Sequence, residues 1–262
     1  MFADYMHSLS LDNLIFFYIL ETTRRIFVVS TTLEEMVQLG LHLGHQARKW
    51  NPKMAPYIYS KRNGTHIIDI VQTVSQLKEV SKFLTKAASE GKTFLFVGTK
   101  KQISQIVKDA ALDCQSYYLT QRWLGGMLTN WQTMKTSIAR LNELKVLEKH
   151  GHLDAMPKKQ AALLRKQMER LDTYLGGVES MKKIPDVVII IGQPDERNAV
   201  LECKKLGIPT VTLLDTDCDP TLADYFVPAN DDSPGAVKFV LTSFADAIRE
   251  GQKIAESKKS TK

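Results

Sequence analysis

Apolar positions along the chain fall into short continuous runs that alternate with segments of helical period. Phe94–Val97 (FLFV), Tyr117–Leu119, Val187–Ile191 (VVIII), Thr210–Leu214 and Phe226–Val227 read as strands. The β-branched VVIII run is what a central parallel strand, buried on both faces, requires. Helical patterns run from Val74 to Ser89, from the Gly98-Thr99-Lys100-Lys101 turn through Ala111, from about Glu196 to Leu206 with a stop at Gly207, and from Ala236 to Glu250. Thr31 or Thr32 caps a further short helix that ends near Gly40, with Glu34 and Glu35 favourable in its first turn. This alternation predicts a doubly wound α/β domain of about five parallel strands with helices on both faces.

Strand patterning vanishes between the second and third of these runs. Met134, Ile138 and Leu141 recur at four-three spacing, and Leu164, Met168, Leu171 and Leu175 at four-three-four, with Gly151, His152 and Pro157 between the two groups. The spacing predicts an inserted antiparallel helical hairpin over residues 129–183, about 20 residues per arm. Its outer face carries Lys135, Arg140, Lys145, Lys149, Lys158, Lys159, Arg165, Lys166 and Arg170. The division that follows is an N-terminal extension at 1–31, an α/β domain formed by 32–128 and 184–251, the hairpin between its two parts, and a flexible basic tail at 252–262.

Composition is that of an ordinary globular chain: 262 residues, 44% hydrophobic and 24% charged, which excludes disordered and collagen-like classes. The net charge of +6 is modest, but it is uneven. Residues 1–131 carry 15 basic and 10 acidic side chains, residues 132–183 carry 11 and 6, and residues 184–262 carry 9 and 13. Clustered Lys and Arg gain from counterion release at a phosphate backbone, so the first two parts are expected to face a polyanion and the acidic final third to face elsewhere. The densest cationic stretch is the strip 36–68, acid-free between Met36 and Ile68. There Arg48, Lys49, Lys53, Lys61 and Arg62 interleave with Trp50, Tyr57 and Tyr59. Pro52, Pro56 and Asn63-Gly64 predict a loop-rich strip suited to phosphate and exposed-base contacts.

Other chemistries find less support. Leu14–Leu20 (LIFFYIL) is too short to span a bilayer, and acidic residues precede it where a secretory signal would be basic. Cys114, Cys203 and Cys218 lie far apart without a CxxC pair, which indicates neither a disulfide framework nor a zinc site. In an open α/β sheet a ligand sits beyond the carboxyl ends of the strands, here Gly98-Thr99-Lys100, Gly192-Gln193-Pro194-Asp195 and Asp215-Thr216-Asp217. Neither Gly-rich phosphate-binding pattern accompanies them. Asp215, Asp217 and Asp219 suit either a divalent cation or Asx caps, and no catalytic constellation emerges. A nucleotide-binding enzyme or sensor using the loops at Gly98 and Asp215 stands as the alternative.

The segments LGHQARKWNPKMAPYIYSKRNGTHIIDI, LFVGTKKQ, QRWLGGMLTNWQT, DTYLGG, IPDVVIII, LGIPTVTLLDTDCDP and VPANDD together resemble the family of the second protein of the bacterial-type small ribosomal subunit, in order from about Thr32 to Gly251. PKKQAALLRKQMERLDTYLGG with DTDCDP most resembles the family's cyanobacterial and plastid branch. The resemblance implies a flavodoxin-like sheet with a protruding coiled-coil hairpin and a structural, non-enzymatic role without cofactor or metal. It implies small-subunit rRNA as partner at the junction of head and body, protein neighbours including the subunit protein numbered one, no membrane and no homo-oligomer. A plastid stroma is the implied location, with the cytoplasm of a cyanobacterium or other bacterium as the alternative. Carried onto this chain, rRNA contacts fall on Arg48, Lys49, Trp50, Asn51, Lys53, Lys61, Arg62 and Arg122, and the cations Lys100 and Lys101 of the strand-end turn and Lys158 and Lys159 of the hairpin are expected to join them. Trp123 belongs to the same turn as Arg122, while Asn130 and Trp131 fix where the hairpin leaves the sheet. Two departures stand out: Gly192 replaces the Asp with which members commonly follow the VVIII strand, and Ser233-Pro234-Gly235 is expected to delay the last helix.

Overall fold

A computed structural model describes residues 33–260, so the apolar run near the N-terminus and the cap at Thr31 or Thr32 lie outside the described residues. In chain order the elements are α1 (Leu33–Gln38), β1 (Leu43–Gln46), a 3₁₀ helix (Pro52–Tyr57), β2 (Ile58–Arg62), β3 (Thr65–Ile68), α2 (Ile70–Ser89), β4 (Phe94–Val97), α3 (Ser104–Asp113) and β5 (Tyr117–Leu119). They continue with α4 (Trp131–Lys149), α5 (Lys158–Leu175), β6 (Val187–Ile191), α6 (Arg197–Leu206), β7 (Thr210–Leu214), β8 (Tyr225–Pro228) and α7 (Pro234–Ser260).

β6 is buried at every position and pairs in parallel with β4 on one side and β7 on the other. The five-stranded sheet has the order β5-β4-β6-β7-β8, the doubly wound flavodoxin-like arrangement. Side chains alternate across it. Phe96, Ile189, Val211 and Val227 pack with Leu77, Leu84, Val240 and Phe244 of α2 and α7 on one face. Leu95, Val97, Val188 and Ile190 pack with Val200 of α6 and with Met134, Ile138, Leu141 and Leu175 at the root of the α4–α5 hairpin on the other. The inserted hairpin is therefore real, and the sheet's own core holds its base. Cys114, Cys203 and Cys218 are buried free thiols, and burial pushes the Cys114 thiol up to about 11, outside the range of a reactive nucleophile. Among the described residues no helix is long and apolar enough to cross a membrane.

Three sequence expectations are corrected. The basic strip is not mostly loop: β1-β3-β2 form a small antiparallel sheet. Asn63 and Gly64, at φ 50° and 78°, make the two-residue left-handed turn that joins β2 to β3, and Pro52 and Pro56 sit in a 3₁₀ helix capped by Asn51. The helix after β4 starts at Ser104, later than the Gly-Thr-Lys-Lys turn. The last helix starts at Pro234 and continues through Ser260, so residues 252–260 of the expected flexible tail are helical, while 261–262 lie outside the described residues. Proline suits a first helical turn because its missing N–H has no partner there anyway. Gly251, within this helix, is a point of close packing, where a Cβ would come 2.4 Å from the Thr85 carbonyl of α2.

The RWLGGMLTNW segment folds around one carboxylate. Glu202 of α6 accepts hydrogen bonds from Trp123 Nε1 (3.0 Å), from the amides of Gly126 (2.8 Å), Leu128 (3.0 Å) and Thr129 (3.0 Å), and from the Thr129 hydroxyl (3.0 Å). Burial raises the Glu202 carboxyl, but these donors outweigh it and hold the group below its ordinary range. Trp123, only 6% exposed, is a core residue. Replacing Glu202 by Ala strands several donors at once. About 2–4 kcal/mol of stability is expected to be lost, read as a fall of roughly 5–10 °C in thermal midpoint, with Glu202→Gln intermediate because one acceptor remains.

Candidate nucleic-acid interface

The small sheet is fastened across the carboxyl edge of the large one. The His45 amide donates to Thr216 Oγ1 (2.9 Å) and the Asn51 amide to the Thr216 carbonyl (2.8 Å). Gly44 allows this approach, since a Cβ there would lie 2.6 Å from the Thr216 methyl. His45 Nδ1 lies 2.9 Å from Asp215 and its Nε2 3.3 Å from Asp232. Lys53 Nζ pairs with Asp219 (2.7 Å) and bonds Thr221 (3.0 Å). Further along the edge the Asn230 amide donates to the Leu41 carbonyl (3.1 Å) and its side chain to the Gly40 carbonyl (3.1 Å). The acidic final third thus does not face elsewhere: the loops after β7 and β8 lie directly under the basic strip and hold it.

The same contacts fill the crevice at which a doubly wound sheet takes a ligand. Lys100 Nζ lies 2.8 Å from both Asp231 and Asp232. Burial alone would lower this ammonium, but the two carboxylates raise it above the ordinary lysine value, so it stays charged. Gly192, at φ 80°, leaves room for the Lys100 chain, with a Cβ there 3.2 Å from Lys100 Cε. The Thr99 amide, which a phosphate-binding turn would point outward, donates to Glu196 (3.1 Å). Asp219 caps the 3₁₀ turn at Pro220–Leu222. His45, Asp231 and Asp232 bring ligand atoms within 4.8 Å of one another, a spacing able to hold a cation, and Lys100 supplies one there. The groups named for the nucleotide-binding alternative are therefore engaged with one another.

The expected contact residues separate into two sets. Asn51 caps the 3₁₀ helix, Lys53 bonds Asp219, and Lys100 is turned inward, so these three hold the fold. Lys49, Trp50, Lys61 and Arg62 are exposed around the small sheet, and Arg48 is exposed with its Nε on Gln46 (3.1 Å). Lys101 and Arg122 are exposed in the loops after β4 and β5, and Lys158 and Lys159 at the start of α5. Among the described residues Lys49, Lys61, Arg62, Lys101, Arg122, Lys158 and Lys159 join no ion pair, unlike Arg140, Lys145 and Arg165 of the hairpin, which are bridged to Glu143, to Asp172 and Glu179, and to Glu148 and Asp154.

Sequence reasoning left His45 without a role and missed Glu202. A histidine in an acid-free strip and an aspartate more than 160 residues later carry no shared local signal. His45 is raised from 6.5 to about 9: the Asp215 hydrogen bond raises it, burial opposes, and the charges of Asp215, Asp217 and Asp232 add to the rise. Because the folded-state value lies above the unfolded one, this contribution is fully present below pH 6.5 and is lost as pH climbs through about 9. Urea midpoints taken from pH 6 to pH 10 should show wild type losing about 1–2 kcal/mol, after allowance for solvent screening, that His45→Gln does not lose. Parallel pH profiles for the two proteins would contradict this role.

Comparison with known proteins follows the same outline. The family model described as Ribosomal protein S2 matches residues 36–251. The "Small ribosomal subunit protein uS2c" of Oltmannsiellopsis viridis is 58% identical over 230 residues, which cover 88% of this chain and 97% of that protein. The uS2c protein of Chlorella vulgaris is 54% identical, covering 84% of this chain and 82% of its own length, and the uS2 protein of the cyanobacterium Thermosynechococcus vestitus is 53% identical, covering 84% of each. The resemblance carried by the sequence motifs, including its cyanobacterial and plastid branch, is borne out. The chain belongs to the ribosomal protein S2 family.

Proposed function

We propose that the chain is a structural constituent of the small ribosomal subunit of a plastid that binds small-subunit rRNA at the junction of head and body and so supports translation. One observation carries this reading. The acidic loops after β7 and β8 are paired with His45, Lys53 and Lys100, and the cations left over join no ion pair with them among the described residues. Arg48, Lys49, Lys61 and Arg62 form one exposed group on the small sheet. Lys158 and Lys159 form another at the start of α5, where two cations beside the positive end of a helix gain nothing locally and are best offset by an anion. Lys101 and Arg122 lie in loops at the carboxyl edge of the large sheet, the edge to which the small sheet is fastened. A rigid body displaying cations in two places recognises the shape of folded RNA through its phosphates.

Under this reading no catalytic step or cofactor is involved, and neighbouring subunit proteins, including the one numbered one, complete the surroundings. A cyanobacterial cytoplasm remains the alternative location. The test is replacement of Lys49, Lys61 and Arg62 by Ala together. Affinity for small-subunit rRNA measured against salt should show a slope smaller by about 3 than wild type, and the variant should fall from the small-subunit peak in a sucrose gradient. Unchanged slope together with unchanged incorporation overturns the assignment of the small sheet as a contact.

A further inference from the structure

Trp50 leaves 37% of its surface exposed on the small sheet. Its ring lies on His66, with centroids 5.1 Å apart and planes inclined by 36°. His66 is itself only 9% exposed, so the indole rests on a buried ring that fixes its plane. Lys61 stands directly opposite His66 in the β2–β3 register and shares its face of the sheet. Lys49 precedes the indole in the chain and Tyr59, two residues before Lys61, is 74% exposed. A second observation concerns the same ring: both ring nitrogens of His66 are buried and lack a partner among the described residues. Buried polar groups are ordinarily paired, so an imidazole with neither nitrogen engaged beneath the indole marks a place completed by something polar.

We propose that Trp50 is a stacking platform for an unpaired nucleobase, with Lys49 and Lys61 on the flanking phosphates. The inference rests on the RNA-binding reading above and sharpens it. The RNA at the small sheet presents a single-stranded, looped or bulged base, because the faces of bases inside an A-form helix are covered by their neighbours. Holding the indole flat before binding reduces the ordering cost of the stack.

The test uses the full chain, titrated at one fixed salt concentration with a 12-nucleotide oligoadenylate and with a 12-base-pair RNA duplex. Trp50→Leu should weaken single-strand binding by roughly 5- to 100-fold, the range measured for base–aromatic stacking, and duplex binding by less than about 2-fold. Trp50→Phe, which keeps a flat ring, should recover most of the loss, and neither variant should change the salt slope. Unchanged single-strand affinity in Trp50→Leu, or equal loss on both RNAs, overturns the stacking role and leaves the phosphate-binding reading intact. Wild-type protein that binds neither RNA overturns both.

Discussion

The exposed cationic sheet depends on one clamp, its contact with the acidic loops at the carboxyl ends of β7 and β8. His45 on Asp215 and Asp232, Lys53 on Asp219, and the backbone bonds to Thr216 and Asn230 join segments more than 160 residues apart. Asp215 is buried and His45 largely so, and their attraction is therefore screened less than that of an exposed pair such as Lys53 on Asp219. A sheet of three strands of four or five residues has little core of its own. The clamp supplies the support it lacks, and the geometry of Trp50, Lys61 and Arg62 follows from it.

The clamp also explains why a fold that elsewhere holds small ligands takes none of the usual steps toward doing so here. A doubly wound sheet offers its crevice where strand order reverses, between β4 and β6. In this chain Lys100 crosses that point over Gly192 to reach Asp231 and Asp232, and Glu196 takes the amide of Thr99. The loops that would bind a nucleotide are redirected to holding the protein together. Glu202 follows the same logic on the other side of the sheet, gathering the amides of the turn from which the hairpin departs. In both places a carboxylate from the second half of the chain positions a cationic element from the first half or the middle.

The large sheet was legible because its information is local: VVIII, FLFV and the terminator Gly207 define elements without reference to distant residues, and all five parallel strands lie where the runs place them. The hairpin was legible for the same reason, through the spacing of Met134, Ile138 and Leu141. What escaped was long-range. Two prolines and a run of cations masked the Asn63-Gly64 hairpin signal, although a left-handed pair between alternating residues is strong evidence of a turn. The last helix continues past Glu250 with Gly251 packed closely on α2, an approach that cannot be seen in a one-dimensional pattern. Lys53 and Lys100 read as phosphate ligands because charge counting assigns every cation to an external partner, and only the fold shows which carboxylates reach them first. The division of the charge, positive before Ile184 and negative after it, was a real feature with the wrong interpretation: the two parts meet.

A density map of the intact small subunit carrying this chain tests the account most directly. Trp50, Lys49, Lys61 and Arg62 are expected against rRNA, with Lys53 still on Asp219 and Lys100 still on Asp231 and Asp232 facing the protein interior. A small sheet turned away from RNA, or Lys100 released from its carboxylates and reaching out to a phosphate, would contradict it.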